Sequence, residues 1–205
     1  GGGSGTLGPP QSYHAADKLQ KAPMKDCLLD LHGVLSDIVP AFCKAHGRPN
    51  PYHDPAHLGN YGIDRIWGMT SKEVFAPMTE AVWADADPLP NAQAVVDLVV
   101  SHFGYEHVFI LSAPPPVRNR GCMPGNEAWI ERHFPQFLGR FHFGMQKHIC
   151  AHADAVLIDD SDANVKAFHG LRGARAILYS QPWNAGHADS SRQLAVLREA
   201  LESLG

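Results

Sequence analysis

Four short apolar runs constrain the chain more than any other feature: Cys27-Leu28-Leu29, Val108-Phe109-Ile110-Leu111, Ala155-Val156-Leu157-Ile158 and Ala176-Ile177-Leu178-Tyr179. Each is bounded by polar or turn residues. Continuous apolar runs of this length suit strands buried on both faces of a parallel sheet. The segments between them have helical spacing. Asn91 to Phe103 sets Ala94, Val95, Leu98 and Val99 on one face. Asn126 to Phe134 places Ala128, Trp129 and Ile130 before an aromatic stop, and Asp162 to Leu171 carries Val165 and Phe168. Ser191 to Leu204 reads as a terminal amphipathic helix. Alternating strands and helices imply right-handed crossovers and a three-layer, Rossmann-like α/β domain.

The stretch from Asp37 to Pro88 departs from this rhythm. It has helical pieces, Ile38–His46 and Ser71–Ala84, around a segment rich in Pro, His, Asn and Gly. No buried strand is evident in it. It reads as a small helical cap over residues 37–88, inserted after the first strand, with residues 24–36 and 89–205 forming the core domain. Ser71 marks a helix start with half a capping box at best, because Glu73 falls at the wrong offset from it. Residues 1–23 are rich in Gly, Pro and Ser and read as a flexible linker or tag-like segment, with Met24 as a natural start. They carry no apolar h-region of a signal peptide.

Composition narrows the function classes. The chain has 205 residues, 44% of them hydrophobic and 19% charged, which fits one globular domain with a small insert. A net charge of -4 offers no basic footprint for a nucleic-acid polymer. No run approaches the roughly 18 apolar residues of a membrane span. The 13 His residues are scattered, without a zinc-type spacing. The four cysteines, Cys27, Cys43, Cys122 and Cys150, lie far apart and read as free thiols of a reducing, cytoplasmic compartment.

Three of the four runs end in groups suited to chemistry. The first ends in Asp30-Leu31-His32-Gly33, the second in Ser112, the third in Asp159-Asp160. In a parallel sheet these carboxyl ends share one edge, where ligands bind at the switch point. Carboxylates brought that close repel one another unless a cation joins them. Oxygen ligands of this kind suit Mg²⁺, which keeps some waters and a substrate phosphate.

The segment CLLDLHGVLSD resembles the first motif of the haloacid dehalogenase-like (HAD-like) hydrolases, usually D-x-D-G-[TV]-[LV]. Ser112 in VFILSAP resembles the second motif, Lys147 in GMQKHICAHADAVLIDD the third, and Asp159-Asp160 the fourth. The nearest subfamily is that of the 5'(3')-deoxyribonucleotidases, on the segments DLHGVLSD, WADADPLPNAQAVVDL, ILSAPPP, NEAWIERHFPQFLGRFHFGMQKHICAHADAVLIDD and SQPWN. The resemblance implies a Mg²⁺-dependent phosphomonoesterase for a nucleoside monophosphate, and cap-bearing relatives are often homodimers. It makes Asp30 the nucleophile that forms an aspartyl-phosphate. It assigns the metal to Asp30, the backbone carbonyl of His32 and one of Asp159 and Asp160. Ser112 and Lys147 become phosphate donors, with Gly33 and Ala113 beside them in the binding loops. Trp67 and Tyr61 are the candidates for stacking a base, and Trp183 of SQPWN flanks the pocket.

One residue departs from the pattern. The second acidic residue of the first motif, ordinarily the general acid/base, is His32 here. An imidazole can move protons near neutral pH. The substitution opens a rival reading, a HAD-fold protein that binds a nucleotide or phosphate with little turnover; a third, which the cap residues decide, is a HAD phosphatase for another small ester such as a sugar phosphate.

Overall fold

The protein is described here as a computed structural model covering residues 25–204. The sequence reading of residues 1–23 and of Met24 lies outside the described residues. In chain order the elements are β1 (Asp26–Leu29), β2 (Ser36–Asp37), α1 (Ile38–His46), α2 (Ile63–Trp67), α3 (Ser71–Phe75), α4 (Glu80–Ala84), β3 (Asp87–Pro88), α5 (Ala92–Phe103), β4 (Val108–Ser112), α6 (Cys122–His133), β5 (Phe141–Phe143), β6 (Ala155–Asp159), α7 (Asp162–Phe168), β7 (Arg175–Leu178) and α8 (Gln193–Glu202).

Five strands form one parallel sheet in the order β5-β4-β1-β6-β7. The chain winds outward from β1 in one direction through β4 to β5, then returns to its other side for β6 and β7. The switch point therefore falls at the carboxyl end of β1. The strand pleat explains the two cores. Cys27, Leu29, Ile110, Val156 and Ile158 face a large cluster with Val95 and Val99 of α5, Trp129 and Ile130 of α6, and Leu197 and Leu201 of α8. Leu28, Leu111 and Leu157 face the opposite way, against Phe168 of α7 and Ala174. Alternate residues are thus buried on both faces, which is why the runs are continuously apolar. The three-layer α/β reading holds.

The fifth strand, β5, was not among the four runs. Its three residues, Phe-His-Phe, alternate and are at most half-buried, as suits an edge strand. Helix α5 also buries a face turned from the expected one: Ala92, Val95, Val96, Val99 and Phe103 are buried, while Leu98 is half-buried. Helix α6 begins at Cys122, four residues before the expected Asn126, with Pro124 in its first turn, where a missing N–H costs nothing.

Between Ser36 and Pro88 the chain leaves and returns through a two-stranded antiparallel stem, β2 with β3, that the sequence did not disclose. The expected helix over Ser71–Ala84 is two helices, α3 and α4, separated by Pro77. The capping box is complete, but its first residue is Thr70 rather than Ser71. Thr70 Oγ1 accepts from Glu73 N at 3.3 Å, and Glu73 Oε2 accepts from Thr70 N at 2.8 Å. Phe42, Val74, Met78 and Trp83 of this stretch belong to the same apolar cluster as the sheet. Helix α4 lies directly on α6, close enough that a Cβ on Gly125 would come within 2.5 Å of Trp83 Cβ and 2.6 Å of Glu80 O.

Candidate active site

Register sets the site. Leu29 pairs with Ile110 on one side and Ile158 on the other. The next residues, Asp30 and Asp159, therefore leave adjacent strands at the same level, and Asp30 N donates to Ile158 O at 2.9 Å. Ser112 closes β4 on the other side of β1. Asp30, Asp159 and Asp160 are all buried, and they offer oxygens within 4.8 Å of one another.

Lys147 enters this group from the turn before β6. Its Nζ lies 2.6 Å from Asp30 Oδ1 and 2.7 Å from Asp159 Oδ2, and the residue is 3% exposed. Asp159 also accepts from Ser161 N at 2.8 Å and from Asn164 Nδ2 at 3.1 and 3.2 Å. Its oxygens are therefore taken up within the protein. Asp160 differs. It accepts one hydrogen bond, 2.6 Å from Trp183 Nε1, and it lines the cavity together with Asp30. Of the adjacent pair left open by the sequence, Asp160 is the one presented to a ligand. Gly33 is the reason there is room: a Cβ there would stand 2.3 Å from Asp160 Oδ2, and its φ of +78° favours glycine.

Three carboxyls face one ammonium, so the buried charge is not balanced by protein groups. Burial first, then the neighbouring carboxylates, push both Asp30 and Asp160 upward, Asp30 to about 7. Lys147 is held above its usual range by Asp30 and Asp159, against the opposing effect of burial. A hard divalent cation resolves this excess, and the donor set is all oxygen. Among the described residues no protein donor reaches the His32 carbonyl either. Asp30, Asp160 and that carbonyl fit such an ion.

Two more groups are orphaned. Ser112 Oγ and both ring nitrogens of His32 are buried with no hydrogen-bond partner. Buried polar groups are normally satisfied, so both point to a ligand or to ordered water. The His32 ring packs 5.0 Å from the Trp83 ring, and burial and Lys147 lower its pKa to about 3. The imidazole is neutral at physiological pH.

These groups open into a cavity of about 410 Å³. Its far wall is aromatic, with Phe42, Tyr52, Phe75, Trp83 and Trp183, and Asp64, Arg65 and Ser71 add a polar patch. Of the sequence candidates, Asp30, His32, Ser112, Ala113, Lys147, Asp160 and Tyr61 line it, as does Trp183. Trp67 does not. Its ring packs against His46 at 5.2 Å and under the Arg48 guanidinium at 5.3 Å. The sequence reading missed Asn164, which fixes Asp159, and Gln181 and Asn184. Gln181 Nε2 donates to Gly33 O at 2.6 Å, and Asn184 Nδ2 donates to Asp160 O at 2.8 Å. Their signal was present in SQPWN, but only Trp183 of it drew notice.

The family model described as "5' nucleotidase, deoxy (Pyrimidine), cytosolic type C protein" matches residues 27–200. The chain belongs to this family. The resemblance drawn from the motifs is borne out at that level. No curated protein matches the chain. Among solved structures, a HAD family enzyme of Bacteroides thetaiotaomicron is similar at 16% identity and a TM-score of 0.44, over 81% of this chain and 98% of that one. The wild-type form of that enzyme in complex with magnesium and inorganic phosphate gives 18% identity and a TM-score of 0.41, over 80% and 98%. Among the described residues no helix is long and apolar enough to cross a membrane.

Proposed function

We propose that the protein is a Mg²⁺-dependent phosphomonoesterase for a nucleoside monophosphate, with Asp30 as nucleophile. The observation that carries this is the buried Asp30-Lys147-Asp160 group beneath an aromatic cavity, in a chain of the 5'-nucleotidase family. Residues 37–88 act as the cap, because they supply most of the aromatic wall. Mg²⁺, held by Asp30, Asp160 and the His32 carbonyl, would neutralise charge between nucleophile and phosphate.

Asp30 Oδ attacks phosphorus, and the bond to the leaving oxygen breaks as the aspartyl-phosphate forms, the leaving alkoxide taking its proton from water. Lys147 keeps Asp30 oriented and balances part of the charge on the phosphoryl oxygens. Ser112 Oγ, without a protein partner, donates to one of those oxygens. A water molecule then attacks phosphorus, His32 accepts its proton, and inorganic phosphate leaves with Asp30 restored. Burial and Lys147 push the His32 imidazole to about 3, so it holds no proton for a leaving alkoxide and is also a weak base toward the attacking water. That same neutrality favours the second reading, a nucleotide-binding protein with slow turnover. We further place the protein in the cytoplasm, in keeping with its four free cysteines and the family's description.

Phosphate release from nucleoside monophosphates and an aryl phosphate, with Mg²⁺ and then with EDTA, tests the assignment. Release that EDTA stops and Asp30→Asn abolishes supports it. Release that persists in Asp30→Asn sinks the mechanism, and binding of nucleotide without release selects the second reading.

A further inference from the structure

Few side-chain donors face the phosphate end of the cavity. Lys147 has three N–H groups, and two are committed to Asp30 and Asp159. Ser112 adds one hydroxyl. The same cavity is lined by Tyr61, from the loop between Gly59 and Gly62.

That loop is built to hold one side chain in place. On one shoulder Gly59 N donates to Pro182 O at 2.8 Å, and the Asn60 carbonyl accepts from the Tyr52 hydroxyl at 3.2 Å. On the other shoulder Gly62 has a φ of +113°, open to glycine alone, and its carbonyl accepts from Arg65 N at 3.2 Å. Between these anchors Tyr61 uses neither its own N–H nor its carbonyl for the backbone network. The residue as a whole is 49% exposed, yet it lines the same cavity as Asp30, Lys147 and Asp160. Its hydroxyl comes within hydrogen-bond reach of Ser161, the residue after Asp160.

We propose that the Tyr61 hydroxyl donates a hydrogen bond to the phosphoryl group of the substrate, making Tyr61 a phosphate-binding residue supplied by the insert rather than a platform for the base. The proposal rests on the phosphomonoesterase reading of the cavity. A phenol carries its proton near neutral pH, so the hydroxyl is a donor there. A stacking ring would instead present a face to the aromatic wall, which Phe42, Phe75, Trp83 and Tyr52 already fill with one another and with Trp183.

Tyr61→Phe removes the hydroxyl and keeps the ring. On the full chain with Mg²⁺, we expect a loss of roughly 10- to 100-fold in kcat/KM for nucleoside monophosphates and for p-nitrophenyl phosphate alike, the scale of one charge-assisted hydrogen bond. Inorganic phosphate, titrated by calorimetry, should bind roughly tenfold or more weakly for the same reason. Unchanged kinetics and phosphate affinity in Tyr61→Phe, with Tyr61→Ala losing activity on nucleotides only, would overturn the proposal in favour of base stacking. A parent protein that binds phosphate but releases none would end the enzymatic reading, while the titration would still decide the role of Tyr61. A parent that neither releases nor binds phosphate would overturn both.

Discussion

At residue scale the decisive position is His32. In the proposed two-step displacement, its substitution for the usual acidic residue bears first on the step that expels the leaving group. Breaking the bond to a sugar alkoxide calls for a proton, while an aryl oxide leaves without one. A buried imidazole held neutral has no proton to supply, and the burial that keeps it neutral also makes it a weak acceptor. The parent protein should therefore hydrolyse an aryl phosphate faster than a nucleoside monophosphate, by about 10²–10⁴, the usual worth of general-acid assistance. His32→Asp should narrow that ratio by speeding the nucleotide. Steady-state kcat for both substrates in both proteins measures it, and an unchanged ratio in His32→Asp would remove His32 from the reaction. Gly33 carries the complementary prediction. Gly33→Ala needs a Cβ 2.3 Å from Asp160 Oδ2 at a φ of +78°. It should lower stability by about 1–3 kcal/mol and weaken Mg²⁺ binding by displacing Asp160. Thermal melts with and without Mg²⁺ follow both, and a variant with normal Mg²⁺ affinity would show that Asp160 is not a ligand.

At the scale of elements, the contact between α4 and α6 joins the insert to the sheet domain. It brings Trp83 against His32. In a free helix, Gly→Ala stabilises by about 1 kcal/mol. Gly125→Ala should do the reverse, because the new methyl meets Trp83 Cβ at 2.5 Å and Glu80 O at 2.6 Å, and overpacking against backbone costs about 1–3 kcal/mol. A raised melting temperature in this variant would mean that α4 moves away without cost. These elements also show what the sequence disclosed. Strands β1, β4, β6 and β7 were legible because both faces are buried and the runs are continuous. Strand β5 was not, because an edge strand of three alternating residues has no such signature. Asp30, Ser112, Lys147, Asp159 and Asp160 were found by motif order, and parallel register turns that order into one edge. The division of labour between Asp159 and Asp160 was hidden. It depends on Asn164 and Trp183, whose side chains meet the pair only in the folded chain. Trp67 was misplaced for the same reason. An aromatic residue in the insert reads the same from sequence whether it faces the cavity or His46 and Arg48.

At the scale of the whole molecule, the buried charge couples folding to pH and to the ion. Asp30 titrates near 3.8 when exposed and at about 7 in the fold, and Asp160 is shifted the same way. Over that interval the folded state binds more protons than the unfolded chain, so stability falls as pH rises. His32 opposes this. Its pKa drops from 6.5 to about 3 on folding, so below 6.5 the unfolded chain holds the extra proton and stability rises with pH. One imidazole offsets one of the two carboxyls up to pH 6.5, and above that the carboxyls act alone. The metal-free protein should thus lose stability most steeply between pH 6.5 and about 7. Mg²⁺ needs the carboxylates ionised, so its binding releases protons and tightens with pH. Binding to the folded state alone stabilises by RT ln(1 + [L]/Kd). The increase in melting temperature on adding Mg²⁺ to EDTA-treated protein should therefore be larger at pH 8 than at pH 6. Scanning calorimetry at the two pH values, with Asp160→Asn alongside, reads the effect directly. If Asp160 is a ligand, Asp160→Asn should flatten the metal-free decline and shrink the Mg²⁺ response together. A Mg²⁺ response that is equal at both pH values, and insensitive to Asp160→Asn, would place the ion elsewhere and leave the buried carboxyls protonated in the working protein.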